Sequence, residues 1–122
     1  MEHEKFTYRS LEEIVQKAKE LDVHLPFAKD TGILSQPLTF GTVRLHNRLG
    51  VAPMEGADSK EDGSPSALTT RRYVREAQGG AGTIWFEAIS IVPEGRSSRH
   101  QLMMTRENLD AYKRMTEAVK EA

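Results

Sequence analysis

The stretch Asn47–Ser59, NRLGVAPMEGADS, decides how this chain is read. Leu49 to Pro53 is a short, almost wholly apolar run that begins as a strand. Ala52-Pro53-Met54 then stops it and opens into an acidic loop carrying a glycine. Proline gives a sheet no N–H, so it ends strands or sits at their edges. The backbone is therefore turned outward and exposed here, and the rest of the sequence has to supply the reason.

A second apolar run, Thr83 to Phe86, follows downstream. Strands apolar on both faces belong to parallel sheets covered by helices. Between the two runs the punctuation predicts a helix: Ser64 as N-cap, Pro65 as the first helical residue, and Gly79-Gly80 as the stop. Ala67, Tyr73, Val74 and Ala77 would share its buried face. Another helix is predicted from near Thr105 to the C-terminus, with Leu109, Tyr112, Met115, Thr116 and Val119 on one side. The order strand, loop, helix, strand, loop, helix is a βα repeat that ends after two units. Two parallel strands cannot bury both faces, and their outer edges present unpaired backbone groups. The sequence thus reads either as a piece of a longer protein or as a module that completes its sheet by association, with a homo-oligomer as the second outcome.

Working outward, Ser10 and Glu13 have capping-box spacing, and Leu11, Ile14, Val15, Ala18 and Leu21 form one apolar helical stripe. The stretch DVHLPFAKDTGILSQP is a connector, and LTFGTVRL places Gly41-Thr42 between two alternating runs, a hairpin signal. The 122 residues suit one domain rather than two, and the formal net charge of -1 gives no reason to expect nucleic acid or an anionic membrane as partner. No apolar run approaches the roughly 20 residues of a spanning helix. The opening MEHEKFTYRS lacks a leader's apolar stretch, so a cytoplasmic protein is expected. The absence of cysteine removes disulfides, thiolate nucleophiles and Cys-based zinc sites. His3, His24, His46 and His100 are scattered without i, i+4 pairing, so no metal site is expected.

The loops after the strands are long, roughly 10 residues from Met54 and nearly twice that from Ala88, whereas the helix-to-strand link GGAG is very short. In βα barrels the strand-to-helix loops carry the active site. GGAG at Gly79–Gly82 follows a helix rather than preceding one, which suits a helix stop and not a phosphate cradle. DSKEDG fails as a calcium loop: Lys60 takes a ligand position and Thr69 stands where Glu is needed. Arg71, Arg72 and Arg75 read as a solvated face. Glu55 and Glu87 each follow an apolar run and fall at the same end of the sheet, where carboxylates are active-site candidates.

These residues carry a resemblance. LTFGTVRLHNRLGVAPME, then YVREAQGGAGTIWFEAISIVPEGR, is similar to the N-terminal part of the Old Yellow Enzyme family of FMN-dependent oxidoreductases. The hairpin, the Asn-Arg before the first strand, Ala-Pro-Met, Gly-Gly-Ala-Gly, Glu-Ala and Pro-Glu-Gly-Arg all fall in family order. The resemblance implies an α/β fold, the first two βα units of a (β/α)8 TIM barrel, preceded by an N-terminal helix and hairpin. It divides the chain into an N-terminal helical extension, 1–33, and an incomplete FMN-binding barrel domain, 34–122.

The resemblance also implies that Ala52, Pro53, Met54, Glu55 and Ala88 lie against FMN, and so accounts for the proline: the strand breaks where its backbone passes a planar ring, and small Ala52 leaves room. Relatives commonly carry Thr or Cys at position 55. A carboxylate there lowers the flavin potential if it points inward and is ionised, and does nothing if it turns to solvent. The family's later elements, a Gln on strand three, a His pair or His-Asn, a Tyr proton donor and the phosphate loops, have no counterpart before Ala122, and His24, His46 and His100 are not placed to replace them. No catalytic residue is assigned. The expected function is the N-terminal portion of an NAD(P)H:flavin oxidoreductase acting on a small electron-poor alkene, with NAD(P)H as reductant and this chain alone inactive. The alternative is a truncated or self-associating half-module that binds no flavin; a different barrel with a phosphate ligand is a third reading.

Overall fold

The computed structural model describes residues 5–122, so His3 lies outside the described residues. The chain divides into two compact units, Met1–Thr31 and Gly32–Ala122. The first holds α1, Leu11–Glu20, where the Ser10 hydroxyl accepts from the Glu13 N–H at 3.2 Å. Glu13 reaches back to the N–H of Arg9 at 2.8 Å, one residue before the cap itself. The helix ends in a Schellman motif: Asp22 takes φ 50°, with Val23 N–H bonded to Ala18 and Asp22 N–H to Lys19. Leu21, expected on the apolar stripe, is therefore exposed at the cap.

In the second unit, β1 (Leu38–Phe40) and β2 (Val43–Leu45) form the expected antiparallel hairpin. Gly41 sits at φ 57°, the sign that the first position of a type II′ turn requires. Next, β3 (Gly50–Val51) pairs in parallel with β4 (Thr83–Ile84), Gly50 opposite Thr83 and Val51 opposite Ile84. Asn47 seals the base of this pair: its amide donates to Gly80 O at 2.6 Å and accepts from Leu49 N–H at 2.9 Å. A Cβ at Gly82 would stand 2.6 Å from the Asn47 carbonyl, so glycine is needed for this approach. The Gly79-Gly80 stop is as expected, with Gly80 at φ 84°.

Two helix starts differ from the sequence reading. Helix α2, Ala67–Gln78, is capped by Ser66 and not Ser64. Ser66 accepts from the N–H groups of Leu68 and Thr69, and the Thr69 hydroxyl accepts from Ser66 N–H, a capping box with Thr in place of Glu. Ser64 is engaged instead by Asp62, to which its N–H and hydroxyl donate at 2.9 and 2.6 Å. The last helix, α3, spans Leu109–Glu121 and starts four residues after Thr105, because Asn108 folds back to accept from Thr105 N–H and donate to Met103 O.

Tyr73, Leu102, Tyr112 and Met115 form the core, with Ile84, Phe86, Ile89 and Val119 against it. On α2, Thr69 rather than Ala67 joins the buried face, and Leu109 at the head of α3 is exposed. Ile84 and Phe86 pack toward the helices while Trp85, between them, is 71% exposed. The strand pair is thus covered on one face, not on both as its composition suggested. Leu102, fully buried, comes from the long loop after β4, which returns to pair Ser90 with Met103.

Gly63 joins the two loops: its carbonyl accepts from Met103 N–H and the Tyr112 hydroxyl, at 3.0 and 2.9 Å. At φ 80°, a Cβ there would lie 2.5 Å from the Met103 Cβ. Gly63→Ala is expected to destabilise the chain by about 3 kcal/mol, from left-handed strain and overpacking together, read as a lower urea midpoint.

Candidate functional site

The C-terminal ends of β3 and β4 open into the two long loops. Glu87, 4% exposed, holds them together. One carboxylate oxygen accepts from the Arg72 guanidinium and, at 3.0 Å, from the Tyr73 hydroxyl; the other accepts from Gly56 N–H at 3.1 Å. The Tyr73 hydroxyl in turn accepts from Glu87 N–H at 2.9 Å. Arg72 also grips Asp58 through Nε and Nη2, at 3.0 and 3.1 Å, and lies over the Tyr73 ring. The clasp therefore ties the loop after β3, the end of β4 and α2 to one another. A methyl at Gly56 would overlap the guanidinium, so glycine lets the backbone pass.

Burial works against the Asp58 anion, but hydrogen bonds from Arg72 and Thr69 outweigh it and hold its pKa below 3.8. Hydrogen bonding to Asp58, and then to Glu87, raises Arg72 well above its ordinary value. Burial pushes Tyr112 up to about 12, with the Glu87 charge adding to it. These are properties of a fixed ionic cluster rather than of a poised proton carrier.

This corrects two readings. Arg72 does not belong to a solvated basic face; the acids that hold it, Asp58 and Glu87, lie 14 and 15 residues away and become neighbours only when α2 packs. Glu87 is not an available active-site acid, since both its oxygens are occupied. Glu55 is more exposed, and the loop after β4 binds both its oxygens: Ser97 Oγ donates at 2.8 Å and Gln101 Nε2 at 2.7 Å. Ala52, Pro53 and Met54 run exposed from the end of β3, and Ala88 is exposed after β4. Gln101 brings the two ends together by donating also to Ala88 O at 3.3 Å. Gln101 and Ser97 gave no signal in the sequence, as polar residues in an irregular loop. Among the described residues, no cluster of His, Asp and Glu could hold a metal ion, and no helix is long and apolar enough to cross a membrane.

The profile of the NADH:flavin oxidoreductase / NADH oxidase family matches residues 33–122. The chain belongs to this family. It is similar to an NADPH dehydrogenase of Bacillus pumilus (strain SAFR-032), 34% identical over 89 residues, which are 71% of this chain and 26% of that protein. An NADPH dehydrogenase of Bacillus subtilis (strain 168) is 32% identical over 90 residues, covering 72% of this chain and 27% of that one. Among solved structures, morphinone reductase in complex with tetrahydroNAD superposes with a TM-score of 0.64 at 30% identity, over 72% of this chain and 24% of the other. The Old Yellow Enzyme homologue from Zymomonas mobilis gives 0.65 at 27% identity, over 72% and 24%. The chain spans about a quarter of the length of the curated relatives it matches. Its α/β fold corresponds to two βα units of their (β/α)8 barrel, and the barrel is not closed.

The strand ends of this family member fit a flavin ring chemically. They are exposed, Ala52 and Ala88 carry only methyl groups, and among the described residues the N–H groups of Ala52, Met54 and Ala88 have no partner. A planar heterocycle with carbonyl and ring-nitrogen acceptors suits such a surface.

Arg72→Met strands the buried Glu87 carboxylate and is expected to cost about 3 kcal/mol. The acid limb of stability changes with it. Because the Asp58 pKa is lowered in the folded state, its contribution is present above pH 3.8 and lost as pH falls through the lower folded value. Unfolding followed from pH 6 down to about pH 2 is expected to show a shallower decline in the variant than in the wild type.

Proposed function

We propose that residues 34–122 form one wall of the flavin site of an FMN-dependent NAD(P)H oxidoreductase, with residues 1–33 as an extension ahead of it. Ala52, Pro53, Met54, Glu55 and Ala88 would hold the ring. What carries the reading is that the family match, 33–122, spans both exposed strand ends, where among the described residues the N–H groups of Ala52, Met54 and Ala88 have no partner. Bound FMN supplies two-electron chemistry, taking hydride from NAD(P)H and giving it from N5 to a small electron-poor alkene such as an α,β-unsaturated carbonyl compound. The chain's own part is to orient the ring and shield one side of it. Glu55, gripped by Ser97 and Gln101, places a carboxylate beside this wall. Proton donation and substrate clamping fall to residues outside this chain, which alone is then inactive. A cytoplasmic setting, where NAD(P)H is available, goes with this reading.

One observation favours a second reading. Trp85 is 71% and Ile91 81% exposed beside a two-stranded sheet, a surface suited to a self-associating module without flavin. Titrating the chain with FMN, with its mass measured in parallel, separates the two: saturable quenching of flavin fluorescence is expected, and a dimer or larger species that leaves FMN unquenched contradicts the flavin reading. Glu55→Gln, which removes one negative charge beside the ring, is expected to raise the midpoint potential of bound FMN. An unchanged potential would mean that the carboxylate does not sense the ring.

A further inference from the structure

Gln101 is 5% exposed although it lies in an irregular loop. A buried amide costs free energy unless each group is satisfied, and here each is. Its Oε1 accepts from Ser97 N–H at 2.6 Å, and its Nε2 donates to Glu55 Oε1 at 2.7 Å and to Ala88 O at 3.3 Å. Its own place is fixed in turn, since its N–H goes to Ser98 O and its carbonyl accepts from Arg96 at 2.8 Å. The same loop segment supplies Ser97 Oγ to the other Glu55 oxygen at 2.8 Å. One side chain thus ties the residue after Met54 to the residue after Glu87, bridging two strand ends that share no other direct side-chain bond among the described residues beyond the clasp at Glu87.

We propose that Gln101 is a positioning residue for the flavin wall: it sets Glu55 and Ala88 relative to each other, an inference that rests on the flavin reading above. The residue type is specific to the task. Two donors and one acceptor are needed at that reach, so glutamate cannot donate, asparagine is one methylene short, and leucine does neither. The Glu87–Arg72–Asp58 clasp secures Gly56 and α2 independently, so a change at Gln101 loosens the exposed ends of the strands without unfolding the unit.

The test compares Gln101→Glu with the exchanged pair Glu55→Gln/Gln101→Glu, reading backbone nitrogen-15 order parameters without ligand and the Kd for FMN. Gln101→Glu sets two carboxylates against each other. It is expected to keep the far-ultraviolet circular dichroism of the wild type while lowering the order parameters of Met54, Glu55 and Ala88 to below about 0.6, the range of flexible backbone, and weakening FMN binding by about tenfold. The exchanged pair restores an amide-to-carboxylate bond with its polarity reversed. It is expected to return Met54 and Glu55 to the wild-type order parameters and recover most of the FMN affinity, leaving Ala88 mobile because the bond to Ala88 O stays lost. A space-filling role would not respond to the exchanged pair. Wild-type order parameters in Gln101→Glu, or an exchanged pair no better than the single variant, overturns the positioning role. A wild-type chain that binds no FMN overturns the flavin reading and the ligand side of the proposal with it, whatever the order parameters show.

Discussion

A single guanidinium holds this unit in shape. Arg72 reaches from α2 to Asp58 in the first loop and to Glu87 at the end of β4, two acids that would otherwise meet as like charges. Glu87 is almost wholly buried, so its charge requires a partner; breaking such a pair costs several kcal/mol even where replacing it whole would be neutral. The Tyr73 hydroxyl and Gly56 N–H complete the set of donors, and the Tyr73 ring packs on Phe86 with centroids 4.4 Å apart. Polar clasp and apolar core therefore share one residue, Tyr73, and neither forms without α2 in place.

From that clasp the rest follows in order. With four residues in its parallel strands, the sheet cannot supply a core. The two helices and the returning loop do so, through Tyr73, Tyr112, Met115 and Leu102. The loop can return only because Gly63 lets Met103 close against it and Asn108 turns the chain into α3. The result is a pair of strand ends held firmly from behind and left open in front. A scaffold that fixes backbone while exposing its N–H groups is what recognition of a flat ligand requires.

Legibility in the sequence followed the range of the interactions. The hairpin at Gly41, the helix stop at Gly79-Gly80 and the α1 cap at Ser10 rest on bonds between near neighbours, and all three could be read directly. The start of α2 was misplaced because Ser64-Pro65-Ser66 offers two hydroxyls and Asp62 claims the first. The start of α3 was misplaced because Asn108 acts backward, to Thr105 and Met103. Arg72 and Glu87 are 15 residues apart, and nothing local marks them as partners. Gln101 and Glu55 are 46 apart and meet only through loop geometry that no periodicity encodes. The family assignment was legible because motif order survives where pairwise contacts cannot be seen.

The measurement that bears most directly on the central claim is an amide chemical-shift map of the isotopically labelled chain during addition of FMN. The account predicts saturable shifts concentrated at Ala52, Met54, Glu55 and Ala88, with the Asn47–Gly80 end of the strand pair unmoved. Shifts gathered at that opposite end, or no shifts at all, would contradict the placement of the flavin wall at the C-terminal ends of β3 and β4.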